Sequence, residues 1–160
     1  MSTLHIMVGI PGSGKSTYSE RLAKEIGATR VSLDELMESM RKGGGRAMMM
    51  GGGRGREMAM QRIGEAILQG DVVYDFTNVH ERDWRRYMEC CPHGTKFKLY
   101  WFDISPDEAM RRQELRTRKV PEPVLRMMWM AMNAAKKRIA ANFSSGDVTY
   151  ITVDDWVENI

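Results

Sequence analysis

Residues 9–16 read Gly-Ile-Pro-Gly-Ser-Gly-Lys-Ser, the spacing G-x-x-x-x-G-K-S of a loop that cradles phosphate. Gly9, Gly12 and Gly14 open backbone conformations that a side chain would block, so successive N–H groups can turn inward around an anion. Lys15 brings a positive charge on a long arm to the β- and γ-phosphates, and the Ser16 hydroxyl can hold Mg²⁺. A helix starting at Thr17 would aim the positive end of its dipole at the same place. Gly12, Ser13, Gly14, Lys15, Ser16 and Thr17 are therefore the candidate phosphate contacts. The ligand they predict is a nucleoside triphosphate.

Such a loop works only between a strand and a helix. Before it, residues 3–8 are short and largely apolar, suited to the centre of a parallel sheet. After it, the pattern predicts a helix over 17–26, with Leu22, Ala23 and Ile26 on one face and Glu20, Arg21, Lys24 and Glu25 elsewhere. Further strands are expected at 29–33, 71–76, 96–102 and 148–153. Helical patterns fill 34–41, 57–69, 81–89, 106–117 and 121–142. Ser105 is placed to cap the helix that Pro106 begins, and Pro121 to open the last one. Strands alternating with helices predict a single α/β domain around a parallel sheet.

One segment breaks the alternation. Residues 41–56 read RKGGGRAMMMGGGRGR, with seven glycines, five basic residues and no acid. The expectation is a flexible loop that contributes nothing to a core, whose arginines can track a polynucleotide backbone. Met127, Met128, Met130 and Met132 around Trp129 are expected to pack in the core rather than to hold a metal.

The chain's 160 residues suffice for one well-packed domain, and a net charge of +3 admits an anionic partner without requiring one. Cys90 and Cys91 are adjacent, a poor geometry for an ordinary disulfide, and Cys-Cys-Pro-His lacks the spaced ligand pairs of a zinc site. Ordinary thiols of a reducing compartment are the reading. No apolar run approaches membrane-spanning length and the first residues do not form a secretory signal, so a soluble cytoplasmic protein is expected.

Four more segments bear on the chemistry. Val31-Ser32-Leu33-Asp34-Glu35-Leu36 sets a carboxylate at the tip of the second strand, and Asp75-Phe76-Thr77-Asn78 ends the third. Phe102-Asp103 ends the fourth, and the stretch from Arg111 through Arg112, Arg116 and Arg118 to Val120-Pro121 concentrates cations. In this order the segments resemble the polynucleotide 5′-kinase family, and within it the kinase domain of the phage kinase-phosphatase, over residues 3 to about 133. The resemblance implies the P-loop NTPase fold: a five-stranded parallel sheet of order 2-3-1-4-5, helices on both faces and a helical lid. It also implies ATP and Mg²⁺ as cofactors and nucleic acid as partner.

By that resemblance Asp34 is the general base for an attacking hydroxyl. Lys15 and the loop amides hold the donor, while Arg116 and Arg112 close down from the lid on the transferring phosphoryl group. Asp75, Thr77 and Asn78 stand at acceptor-side positions. Met37 replaces an arginine that the phage enzyme carries three residues after its aspartate, and the candidate substitutes are Arg41, one helical turn on, or an arginine of the glycine-rich segment. The expected activity is ATP-dependent phosphorylation of a 5′-hydroxyl end of DNA or RNA. A hydroxymethylated base in DNA, a nucleoside or a small molecule is the alternative acceptor, and a nucleotide-dependent switch is the reading from another class.

Overall fold

The computed structural model describes residues 1–42, 51–117 and 119–152. Strands β1 (Thr3–Val8), β2 (Thr29–Ser32), β3 (Val72–Asp75), β4 (Lys96–Phe102) and β5 (Val148–Ile151) form one sheet in the order β2-β3-β1-β4-β5. Every neighbouring pair is parallel. Both faces of a parallel sheet are covered by its crossover helices, so its central strand must be apolar on both sides. Accordingly β1 is buried from Leu4 to Val8.

The helices are α1 (Lys15–Ile26), α2 (Leu33–Lys42), α3 (Gly51–Ala66), α4 (Glu81–Glu89), α5 (Pro106–Gln113), α6 (Glu122–Lys136) and α7 (Ile139–Asn142). The alternation of side chains along each strand divides the core in two. Leu4, Ile6 and Val8 share one face with Leu99, Trp101, Val72 and Tyr74, and there meet Ala59 and Ile63 of α3, Trp84 and Tyr87 of α4, and Leu125 and Met132 of α6. Met7, Val73, Tyr100 and Phe102 form a smaller cluster on the other face with Ala23 of α1, and Tyr18 and Leu22 pack at its rim. Trp84 lies edge-on to Trp101 at 6.1 Å and 5.9 Å from Phe143. Truncating it to alanine would cost about 3–5 kcal/mol.

The boundaries differ from expectation where packing overrides local pattern. The first helix begins at Lys15 rather than Thr17, because Gly14 takes a left-handed conformation (φ 92°) and supplies the turn into it. The segment 41–56 is not simply a loop. Its first residues continue α2, residues from Gly51 onward belong to α3, and 43–50 lie outside the described residues.

Gly55 shows why a glycine-rich stretch joins a helix here. A Cβ on it would come within 3.0 Å of Met37 Cγ and 3.1 Å of Leu33 Cδ1. The missing side chain lets α3 close on α2, so this segment does enter the core. Toward the C-terminus, the helix expected over 106–117 stops at Gln113, and the one expected over 121–142 breaks between Lys136 and Ile139. Of the methionines assigned to the core, Met132 is buried and Met128 packs against the cluster with Trp129, but Met127 and Met130 are exposed. Among the described residues no helix is long and apolar enough to cross a membrane.

Candidate active site

The loop between β1 and α1 is fixed by close approach. A Cβ at Gly9 would lie 2.6 Å from Ser13 Oγ and 2.9 Å from Phe102 Cβ, and one at Gly12 (φ 86°) would lie 3.0 Å from the Ala109 carbonyl oxygen of α5. Only glycine admits those contacts, and the second brings α5 directly onto the loop. Gly12, Ser13, Gly14 and Lys15 are buried, whereas Ser16 and Thr17 stand exposed on the first turn of α1. The N–H groups of that turn have no preceding helical carbonyl to meet, as at every helix start.

The Lys15 ammonium donates to the Ile10 carbonyl at 3.0 Å and to Ser13 Oγ at 3.4 Å. Burial lowers its pKa from 10.5 to about 8, the charges of Asp75 and Asp34 work in the opposite direction, and Arg116 adds to the lowering. The site's own electrostatics therefore couples four groups from separate elements: the first residue of α1, the end of β3, the first turn of α2 and the segment after α5. A buried cation, glycines at contact distance and a hydroxyl on the first helical turn fit a triphosphate with Mg²⁺ at Ser16.

Arg112 extends from α5 to the same loop, with Nη1 donating to the Ser13 carbonyl at 3.4 Å and Nε to Glu108 Oε1 at 3.0 Å. Arg116 is exposed on a loop whose two ends one side chain joins. The Gln113 amide donates to the Val120 carbonyl at 2.8 Å and accepts the Val120 N–H at 3.0 Å. This clamp is the reason the helix stops at Gln113 and Arg116 rides on a loop.

The remaining candidate residues separate. Asp34 is exposed at the head of α2, and Arg41 lies at the far end of that helix, 3.9 Å from Glu38 Oε2. Asp75 is buried against α1: its Oδ2 accepts from Ser19 Oγ at 3.0 Å and from Arg30 Nη2 at 2.6 Å. Asn78 is also buried, in a left-handed turn (φ 47°), with Nδ2 donating to the Met7 carbonyl at 2.8 Å. Its own carbonyl accepts the Trp84 Nε1–H at 2.7 Å, and the Thr77 carbonyl accepts the Gly9 N–H at 3.0 Å. Asn78 is thus a joint between β1, β3 and α4. Asp75 is held between Ser19 of α1 and Arg30 of β2.

Arg30 is the side chain that sequence reasoning passed over. Besides Asp75, its Nε donates to Ser19 Oγ at 2.8 Å and its Nη1 to Glu35 Oε1 at 2.8 Å. It thus ties the end of β3 to α1 and to the turn of α2 that carries Asp34. An arginine alternating with Val31 in a short strand was the available signal. Its meaning depends on β2 lying beside β3, where Ser32 pairs with Asp75.

The profile of a family described as AAA_33, AAA domain, matches residues 4–139. No curated protein matches the chain. Among solved structures, a gluconokinase from Sinorhizobium meliloti 1021 is similar with a TM-score of 0.62 and 21% identity, over 95% of this chain and 82% of that one. A chain from the Pnkp1/Rnl/Hen1 RNA repair complex is similar with a TM-score of 0.64 and 23% identity, over 86% of this chain. This chain spans 46% of that longer one.

Proposed function

The chain belongs to the AAA_33 family of AAA domains, and from that premise we propose that it is an ATP- and Mg²⁺-dependent kinase of the 5′-hydroxyl end of DNA or RNA. The observation that carries the reading is the convergence on the phosphate loop: Arg112 of α5 donates to the Ser13 carbonyl, and the charges of Asp34 and Arg116 both act on the buried Lys15 ammonium, the first raising its pKa and the second lowering it. A switch protein needs the loop and its lysine. It has no use for an exposed carboxylate and a lid arginine both brought to bear on them.

In this reading Lys15 and the amides at the start of α1 grip the donor phosphates. Ser16 would hold Mg²⁺, which supplies charge neutralisation on those phosphates when bound. Asp34 orients the acceptor hydroxyl and takes its proton as the new O–P bond forms and the bond to the ADP oxygen breaks. Arg116, with Arg112 beside Ser13, meets the charge spread over the transferring group. The lid loop pinned by Gln113 excludes water, which would otherwise compete as acceptor. A nucleic-acid acceptor is supported by the sequence resemblance and by the basic balance of the chain.

A second acceptor class has its own support. Met37 packs over Gly55 and offers no group for a phosphate, as suits a small hydroxyl compound, and one structural neighbour is a gluconokinase. Transfer of ³²P from γ-labelled ATP to a panel of acceptors separates the two. The panel holds 5′-hydroxyl DNA and RNA, hydroxymethyluracil DNA, nucleosides and gluconate. The expected result is label on 5′ ends, reduced roughly 10²–10³-fold in Lys15→Ala and about 10²–10⁴-fold in Asp34→Ala. Label confined to a small hydroxyl compound would replace the acceptor, and ATP hydrolysis with no labelled acceptor would sink the kinase reading.

A further inference from the structure

The side of α4 turned away from the core carries Glu81, Arg82, Arg85, Arg86 and Glu89, which with Cys90 at the helix's C-terminal cap and Met60 of α3 line an open cavity of about 450 Å³. The stripe follows from helical geometry. Asp83, Trp84 and Tyr87 take the buried face, so residues four apart from Glu81 and Arg82 fall on the other. The Glu81 carboxylate is already matched: Arg138 Nε lies 2.8 Å from its Oε2, and Arg85 Nη1 lies 3.8 Å from its Oε1. Arg138 therefore adds a fourth guanidinium at that end. Arg82 and Arg86 make no salt bridge among the described residues. Glu89, at the Cys90 end, marks where the positive stretch stops.

The groove is also oriented. Its Glu81 end follows the turn whose Thr77 carbonyl receives the Gly9 N–H, at the phosphate-loop edge of the sheet. From there α4 runs down the flank toward the start of β4. We propose that this groove holds the phosphodiester backbone of the single strand whose 5′-hydroxyl end is presented to Asp34. The inference rests on the acceptor proposed above and adds the path of the strand behind its end. Planar guanidinium groups match phosphate oxygens two at a time. The helix offers about 13 Å of length, enough for roughly three to four phosphates of a stacked strand.

Cys90, half-buried on the wall of the groove, serves as a reporter in the unmodified protein. Alkylation by iodoacetamide, read by peptide mass spectrometry, is expected to slow several-fold at Cys90 when a short 5′-hydroxyl oligonucleotide is added, and not when polyglutamate is added. In the Arg82→Ala, Arg85→Ala double variant the protection should vanish. The slope of log affinity against log salt should flatten by about 1.4, the share of two phosphate contacts on a single strand. Phosphorylation of a free nucleoside should stay unchanged. Both arginines are exposed, and the wild-type footprint needs no variant to fold. Equal protection by polyglutamate, or an unaltered slope, would overturn the proposal. Phosphorylated 5′ ends with Cys90 unprotected would overturn the groove and leave the kinase reading standing. Unphosphorylated ends would remove that reading and the groove with it.

Discussion

The phosphate loop and the α2–α3 pair flank the same edge of the sheet but are built to different tolerances. Around the loop, Cβ positions at Gly9 and Gly12 are forbidden by neighbours at 2.6 Å and 3.0 Å, and Lys15 is 8% exposed. Along α2, Asp34, Glu35, Met37, Glu38, Ser39 and Arg41 are all exposed. On the function proposed above, the contrast follows from what each side has to recognise. A triphosphate has a fixed shape and charge, so its cradle can be completed in advance by packing. An acceptor-facing surface keeps its polar groups in water until the ligand arrives. Arg30 is the link, reaching from buried Asp75 to exposed Glu35.

The sharpest way to break this comparison is therefore Arg30→Ala. Asp75 has 5% of its side-chain surface exposed and would lose its only salt-bridge partner among the described residues. Leaving one charge of a buried pair uncompensated typically costs 3–5 kcal/mol, roughly 10 °C in Tm for a chain of this length. Adding Asp75→Asn should recover a large part of the loss. Urea and thermal denaturation of the single and double variants read both. A loss under about 1 kcal/mol would mean that the link behaves as a surface ion pair and that the two regions do not differ in the way described.

How much of this was legible in the sequence divides along the same line. The loop is legible because phosphate geometry dictates the spacing of Gly9, Gly14, Lys15 and Ser16. The strand order came from resemblance, not from periodicity. Asp75 was legible as a carboxylate at a strand end, but its partner lies 45 residues away and is set by strand pairing. The end of α5 was not legible either, since a helical pattern continues through Thr117. The chain leaves the helix because a buried glutamine captures both backbone groups of Val120. Glycine costs about 1 kcal/mol per residue in a helix, so composition argued against α3 starting at Gly51. Packing of Gly55 beneath Met37 and Leu33 outweighs that propensity.

A smaller effect should appear on the donor side alone. With burial holding the Lys15 pKa near 8, the free protein above that pH carries a largely neutral lysine, while bound phosphates favour the ammonium. ATP binding should then take up a proton, and affinity should fall as pH rises above about 8, by up to tenfold per unit. In folding the sign is opposite. Between pH 8 and 10.5 the unfolded chain binds more protons at Lys15 than the native one, so this residue makes stability rise with pH across that window. Titration calorimetry at pH 7, 8 and 9, in two buffers of different ionisation heat, measures the proton uptake directly. Flat affinity with no uptake would show that Lys15 stays charged in its buried position. Lys15→Met should abolish the pH dependence of binding.

The smallest effect is expected at Arg41, and it sharpens the comparison most. Its pairing with Glu38 is long, at 3.9 Å, and both side chains are about half exposed (56% and 47%). Such a pair contributes little, so Arg41→Ala should change stability by less than about 0.5 kcal/mol. If Arg41 takes the place of the absent arginine at Met37, its loss should raise KM for a phosphate-bearing acceptor several-fold. KM for ATP should not move, because the donor cradle is complete without α2's far end. Steady-state kinetics with each substrate varied in turn separates the two constants. A matched rise in both would mean that α2 shapes the donor site as well, and the division between a pre-built half and a surface half would fail.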